Sequence, residues 1–417
     1  MILFSIILLI LAILGAPLFT IIATSAILGF KSSDTSLLTV PLEFMSIAQV
    51  PVLTAIPLFT FAGYLLSECE APHRLVRVTR ALFGWMPGGL AIVCLVVCAL
   101  FTAFTGASGV TIIALGAILY PALMEDGYGD RFTLGLVTSS GSLGLLFAPS
   151  LPLILYGVVA QVSIDDLFRA GILPGILMVA ALSAYSVWNS RGTRRQTTPF
   201  SGREVLAAMR EAIWELPLPI VVLGGIYSGF FAVSEAAAIT ALYVFVAEVL
   251  INREIALRDL PRIIRESMVL VGAILMILGM SLASTYYMID MEIPQKLLAL
   301  VGELFSSQVT FLILLLIFLL ILGAILDIYS AIALVVPLIL PIASTFGVNQ
   351  VHLGIVFLAA MELGYLTPPV GLNLFISSYR FDKPILHVYS ATFPFLLILL
   401  LSVILIAFWP GLSLWLV

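Results

Sequence analysis

Apolar residues run along the chain in long blocks separated by short charged stretches, and alternation of apolar and polar residues at a two-residue period is absent. A helix crossing a bilayer needs about 20 apolar residues. Spans are predicted near 4–29, 49–67, 131–160, 170–189, 216–230, 234–250, 268–288, 349–379 and 388–409, with apolar hairpins near 86–122 and 308–345. A membrane β-barrel would show alternating segments of about 10 residues, so helices must satisfy the backbone inside the hydrocarbon. The fold class that follows is an all-α polytopic membrane protein. Four charged stretches, 71–83, 203–216, 257–268 and 293–304, carry an amphipathic pattern and are expected to lie in the interface plane. Met1 to Gly15 look like the apolar region of a signal peptide but lack a positively charged start and continue apolar to Phe30, so a retained anchor is expected.

Composition agrees: 62% of the 417 residues are hydrophobic and 10% charged, against about 25% charged in soluble domains. The net charge of −5 is spread thin, with no basic stripe to follow a phosphate backbone, which excludes nucleic acid as a partner. Cys69, Cys94 and Cys98 offer no metal-ligand spacing beyond an i, i+4 pair in an apolar segment and read as small buried hydrophobes.

The basic residues set the orientation. With a cytoplasmic amino terminus, Arg74, Arg77, Arg80, Arg131, the arginines of 191–210 and 253–265, Arg380 and Lys383 fall on the cytoplasmic side, leaving only Lys31, Arg169 and Lys296 of the 18 outside. That bias is what the positive-inside rule demands. It holds only if both hairpins return to their own side, and it places the carboxyl terminus in the periplasm.

Four punctuation residues recur at a constant offset of 220: Pro121 and Pro341, Gly144 and Gly364, Pro149 and Pro369, Pro174 and Pro394. Pro72 and Pro294 open matching interfacial stretches further upstream. Under the orientation above the first hairpin enters from the cytoplasm and the second from outside, so the repeats are inverted, an arrangement of secondary transporters.

The breaks carry the candidate chemistry. The first hairpin turns at 104–111, where Gly106 and Gly109 release the backbone and Thr105, Ser108 and Thr111 supply hydroxyls; the second turns at 323–330. After each hairpin a crossing breaks in its middle, at 139–150 through Gly144, Pro149 and Ser150, and at 361–373 through Glu362, Gly364, Thr367, Pro368 and Asn373. Half-helix ends at such depth leave amides and carbonyls that cost several kcal/mol each in hydrocarbon. Each tip with its neighbouring break is expected to form one Na⁺ site: Gly106, Ser108, Thr111, Gly144 and Pro149 in the first, and Asp327, Gly364, Thr367 and Pro368 in the second. No Arg or Lys lies in the breaks, so an organic anion would be held by helix amino ends, by the bound cations and by Ser108, Ser150, Thr367, Glu362 and above all Asn373. Asp327 and Glu362 are the acids placed near mid-membrane; Glu235 and Glu248 are expected to snorkel or pack helices. His352 and His387 fall at opposite faces and His73 in an interfacial helix, so they form neither a metal site nor a proton relay.

The motifs around Gly127 and Tyr128, Gly144 to Ser150, Tyr156 and Gly157, Phe168 to Gly175, Gly323 with Asp327, Pro337 with Pro341, and Leu366 to Phe375 resemble those of the large membrane subunit of tripartite ATP-independent periplasmic (TRAP) transporters, the dicarboxylate M-subunit family. Where that family carries further tip serines, this chain has Ala107, leaving Ser108 and Thr111 as the hydroxyl donors. The resemblance implies a bacterial inner-membrane, Na⁺-coupled importer of an organic acid such as a dicarboxylate. It implies an elevator in which 84–200 and 306–417 carry cargo past a scaffold made from 1–83 and 201–305. It also implies two partners, a small four-helix membrane subunit and a periplasmic substrate-binding protein. A stand-alone Na⁺/dicarboxylate symporter of related hairpin fold is the alternative. A channel would need a continuous polar pore lining, and an enzyme would need convergent catalytic groups; neither pattern is present.

Overall fold

A computed structural model describes residues 7–8, 10–11, 16–32, 36–86, 88–190, 200–293, 295–296 and 307–417. In chain order the helices are α1 (Leu18–Ser32), α2 (Thr39–Ser46), α3 (Ala55–Glu68), α4 (Ala71–Phe83), α5 (Gly89–Thr105), α6 (Ser108–Glu125), α7 (Asp130–Ser140), α8 (Leu151–Ala160), α9 (Ile164–Ser190), α10 (Gly202–Glu211), α11 (Pro217–Tyr227), α12 (Val233–Val244, continued by a π-helical turn at Phe245–Ile251), α13 (Leu260–Asp290), α14 (Gln308–Gly323), α15 (Ile328–Thr345), α16 (Gln350–Gly364), α17 (Leu372–Arg380), α18 (Ile385–Phe408) and α19 (Gly411–Leu414). Among the described residues there is no strand. The two hairpins are α5–α6 and α14–α15, and the broken crossings are α7/α8 and α16/α17.

That the hairpins open on opposite faces follows from contacts at the ends of two long helices. The carboxyl end of α9 meets the base of the first hairpin, where Gly88 lies against Val187 and Ser190. Its amino end follows Val162, which shares a surface depression with Ser344 to Val351 at the base of the second. The 27 residues of α9 span about 40 Å at 1.5 Å per residue, so the two bases lie a membrane apart. Helix α18 runs the other way: His387 near its start bonds Asp130 at 2.9 Å, and its Ala407 carbonyl bonds His352 at 3.2 Å. The two histidines thus sit at opposite faces, each with packing partners. Helices α6 and α15, of 18 residues each, are long enough to cross by length alone. Direction reversal at the tips makes them re-entrant, and legs of about 27 Å entering from both faces of a bilayer about 40–45 Å thick must overlap.

The stretch 257–268 is not a separate interfacial helix. It belongs to α13, which runs unbroken for 31 residues, about 46 Å, beyond the hydrocarbon thickness of about 30 Å. Its early arginines mark the protruding end, where Arg262 pairs with Glu68 at 2.6 Å. Helices form at 71–83 as α4 and at 202–211 as α10, the latter ending before the predicted 216, and the sequence pattern did not mark α2. Most of the predicted stretch at 293–304, and residues 4–6, 9 and 12–15 of the first span, lie outside the described residues, while the rest of that span holds α1.

Between α4 and the 212–259 region, Arg74 is buried against Glu215 at 2.5 Å, Glu248 at 3.2 Å and Glu254. Glu248 therefore packs helices, and Glu235 closes a capping bond to the Ala232 amide at 2.9 Å. Burial would raise the Glu254 carboxyl, but bonds from Arg74 and the Glu70 amide hold it below the ordinary glutamate range. Cys94 and Cys98 are buried, whereas Cys69 is half-buried beside Glu248 and Glu254, whose carboxylates already accept from Arg74.

Candidate functional site

The first hairpin turns in two residues. Helix α5 ends because Gly106 adopts left-handed backbone (φ 65°), its amide closing on the Thr102 carbonyl at 2.8 Å. A Cβ on Gly106 would meet the Leu151 side chain at 2.5 Å, so only glycine fits. Helix α6 starts at Ser108 with no side chain capping its first turn, which leaves its amino-terminal amides available. Thr102 and Thr111 share a hydroxyl bond of 2.7 Å across the legs, and Thr102 also donates to the Gly141 carbonyl at 2.9 Å. The neighbouring break wraps this tip: Gly144 sits so close that a Cβ would lie 2.2 Å from the Ala99 carbonyl oxygen. Around it the buried hydroxyls of Thr105, Ser139 and Ser150 have no partner among the described residues.

The second tip is built differently. Asp327 caps α15, accepting the Tyr329 and Ser330 amides at 3.0 Å each and the Ser330 hydroxyl. The Ile328 amide donates to the Tyr365 hydroxyl at 2.7 Å, and the Gly371 amide to the Ala324 carbonyl at 3.0 Å. Tip and break touch backbone to backbone, since a Cβ on Gly364 would lie 2.6 Å from the Gly323 Cα.

The two tips also meet each other, through the Tyr329 hydroxyl donating to the Gly106 carbonyl at 2.6 Å. Beside this bond lies a cavity of about 430 Å³, walled by Gly106 to Gly109, Asp327 to Tyr329, Tyr365 and Leu372, and closed by Tyr64 of α3 and Leu270, Ala273, Ile274 and Ile277 of α13. Among the described residues no Arg or Lys lines it. Two uncapped helix starts open beside it, α6 at Ser108 and α17 at Leu372, and such ends favour anions. Hydroxyl and carbonyl oxygens around the tips form a donor set for a hard cation.

Of the residues singled out from the sequence, Gly106, Ser108 and Asp327 stand on the cavity wall. Gly144 packs behind the first tip, as does Thr111, whose hydroxyl is used within the hairpin. Pro149 and Ser150 lie in the break beyond, with Ser150 fully buried. In the second break, Gly364 packs on Gly323, the Thr367 hydroxyl is spent on the Leu363 carbonyl at 2.9 Å, and Pro368 is exposed. The peptide bonds before Pro149 and Pro369 are cis. Asn373 and Glu362 do not reach the cavity wall. Asn373 is 0% exposed, its Nδ2 donating to the Thr138 carbonyl at 3.5 Å and its Oδ1 unpartnered among the described residues. Glu362 is 1% exposed, with both carboxylate oxygens unpartnered among the described residues.

Tyr329, Tyr365, Tyr64, Thr102 and the apolar face of α13 were not singled out. Tyr329 at the tip and Tyr365 in the break had a signal, because a phenol at bilayer depth must find a partner for its hydroxyl. One follows Asp327 by two residues and the other adjoins Gly364.

Comparison with known proteins bears on this arrangement. Residues 3–412 match the family described as "Tripartite ATP-independent periplasmic transporter, DctM component". The chain is 34% identical over 383 residues, 92% of its length and 90% of the relative's, to the C4-dicarboxylate TRAP transporter large permease protein DctM of Pseudomonas aeruginosa. It is 30% identical to the ectoine/5-hydroxyectoine large permease of Ruegeria pomeroyi, covering 98% and 96% of the two chains, and 30% identical to the sialic acid large permease of Vibrio cholerae, covering 87% and 85%. Among solved structures, the Alcanivorax borkumensis YdaH transporter shares the fold with a TM-score of 0.62 at 15% identity, over 89% of this chain and 87% of that one. These relatives are transporter permeases rather than enzymes. Hairpins, broken crossings and the match across nearly the whole length lead to one conclusion: the chain belongs to the DctM family, the large permease component of tripartite ATP-independent periplasmic transporters.

Proposed function

We propose that this permease imports an organic acid into the bacterial cell across the inner membrane, driven by two or more Na⁺ ions, after delivery by a periplasmic binding protein and together with a small four-helix membrane subunit. The observation that carries this reading is the cavity between two hairpin tips that enter from opposite faces, with uncapped helix starts but no basic side chain on its wall. An anion there depends on amide ends and on co-bound cations, which ties its binding to that of Na⁺. The relatives' names, which include C4-dicarboxylate, ectoine and sialic acid permeases, support the small-solute class. A fusion relative from Oleidesulfovibrio alaskensis, named an isethionate TRAP transporter permease DctMQ, supports the small-subunit partner.

Each Na⁺ would take carbonyl and hydroxyl oxygens of one tip and its break, with Asp327 supplying charge at the second. The cavity's far wall comes from α3 and α13, and that division supports an elevator: 84–200 and 306–417 move with the cargo while 1–83 and 201–305 stay, the amino terminus cytoplasmic and the carboxyl terminus periplasmic. One net positive charge moving inward at 100 mV contributes about 2.3 kcal/mol, roughly a fiftyfold gradient.

The test is uptake of labelled organic acid into vesicles holding the permease and small subunit, with binding protein added outside. An inward Na⁺ gradient and the binding protein are both required on this reading. Uptake without the binding protein would favour the stand-alone symporter, and uptake indifferent to Na⁺ would remove ion coupling.

A further inference from the structure

On the arginine-rich side of the molecule, away from the transport cavity, α4 and α10 form a basic pocket that the transport reading does not use. It measures about 300 Å³ and is lined by Arg77, Arg80, Trp85, Phe200, Ser201 and Glu204. The two arginines differ. Arg77 is held by Glu204 at 2.9 Å and by Glu211, so its charge is spent on α10. Arg80 is exposed and makes no ion pair among the described residues, leaving a free guanidinium on the pocket wall. Trp85 and Phe200 meet edge to face, their centroids 6.3 Å apart, and both rings remain largely exposed.

The outer surface of α10 says what environment this pocket faces. Leu206 and Met209 of α10 and Ile213 just past its end are each exposed, and the three-residue spacing of the first two puts them on one face of the helix, turned away from Glu204. Arg203 and Arg210, also exposed and without ion pairs among the described residues, flank that stripe. An apolar stripe edged by free arginines suits the boundary between acyl chains and headgroups. The two α10 acids beside the pocket, Glu204 and Glu211, are both paired to Arg77, so the uncompensated charge is positive.

We propose that this pocket holds the phosphate of an anionic glycerophospholipid, with Arg80 as its principal contact. The Trp85 and Phe200 rings cover the glycerol region and the start of the acyl chains. A basic residue near an anionic lipid surface contributes about 1 kcal/mol, or about fivefold in affinity. The occupant is a lipid rather than a soluble phosphate because the free guanidinium shares the pocket wall with the largely exposed Trp85 and Phe200 rings, and α10 beside it turns an apolar face outward. Such a lipid would fasten α4 and α10, which flank the Arg74 cluster, to the cytoplasmic leaflet.

The test uses the purified full-length permease and dioctanoyl phosphatidylglycerol, with binding followed by native mass spectrometry. Arg80→Ala is expected to weaken binding about fivefold and Arg80→Lys to restore most of it, while dioctanoyl phosphatidylcholine binds more weakly to the unmodified protein. Inorganic phosphate at equal concentration is expected not to displace the lipid. Unchanged binding in Arg80→Ala, equal binding of phosphatidylcholine, or displacement by inorganic phosphate would each overturn the proposal, the last pointing to a soluble-anion site. Should Arg80→Ala fail to fold, quenching of the unmodified protein by brominated phosphatidylglycerol, corrected with Trp85→Phe, gives the second readout. Quenching unaffected by Trp85→Phe would likewise contradict it.

Discussion

The two hairpin tips occupy equivalent places in the repeat, yet they solve the same electrostatic problem in opposite ways. At the first, glycine lets the chain reverse, no side chain caps α6, and the buried hydroxyls of Thr105 and Ser150 nearby stay unpartnered among the described residues. At the second, Asp327 and the Tyr365 hydroxyl accept the first amides of α15 from within the protein. One tip leaves buried hydroxyls without a partner among the described residues, and the other turns a carboxyl onto its own backbone. Inverted symmetry therefore repeats the backbone geometry without repeating the side-chain chemistry.

The largest effect is expected where tip and break share backbone contact. Gly364→Leu places side-chain atoms within 2.6 Å of Gly323, and overpacking of this kind costs about 1–3 kcal/mol or more. A marked fall in the melting temperature of the purified protein, with loss of uptake, is the expected result; a near-normal melt would show that the second hairpin does not seat as described.

Asp327 separates capping from charge. Asp327→Ala should lose Na⁺-dependent uptake and about 1 kcal/mol of stability with the cap. Asp327→Asn should keep the cap and the melting temperature but still lose Na⁺ dependence. If transport by the Asp327→Asn variant responds to Na⁺ as the parent does, the carboxylate is a structural cap and nothing more.

How far this contrast could be read from the sequence differs between its parts. The turns, the breaks and the inverted pairing were legible because Gly and Pro act locally, and the 220-residue offset survives any packing detail. The bonds that join the tips were not, because Tyr329 meets Gly106 across 223 residues and no local pattern encodes that meeting. The arginines of 257–268 misled for a related reason: the same residues mark an interfacial helix or the protruding start of a long crossing, and only the unbroken α13 decides. Asn373, chosen because it is polar within a break, turns out to bridge toward Thr138 instead of facing the cavity.

Smaller effects sharpen the first tip. Ser108→Ala removes a hydroxyl from the wall but leaves the amides of α6, so the apparent substrate affinity should weaken by several-fold, on the order of one hydrogen bond, with the melt unchanged. An unaltered concentration dependence of uptake would move the anion away from α6. Tyr329→Phe removes the hydroxyl bond between tips, worth about 1 kcal/mol. It should lower the melting temperature slightly and alter Na⁺ affinity by freeing the Gly106 carbonyl; a shift in neither would mean the tips do not communicate through this bond.

The most direct measurement places a single cysteine at Ala107, on the cavity wall, in a chain with Cys69, Cys94 and Cys98 replaced, and follows its alkylation in membranes. Slow labelling is expected, slowed further by Na⁺ and most by Na⁺ with organic acid. Fast labelling indifferent to both would place the first tip in an ordinary surface loop and contradict the two-tip site.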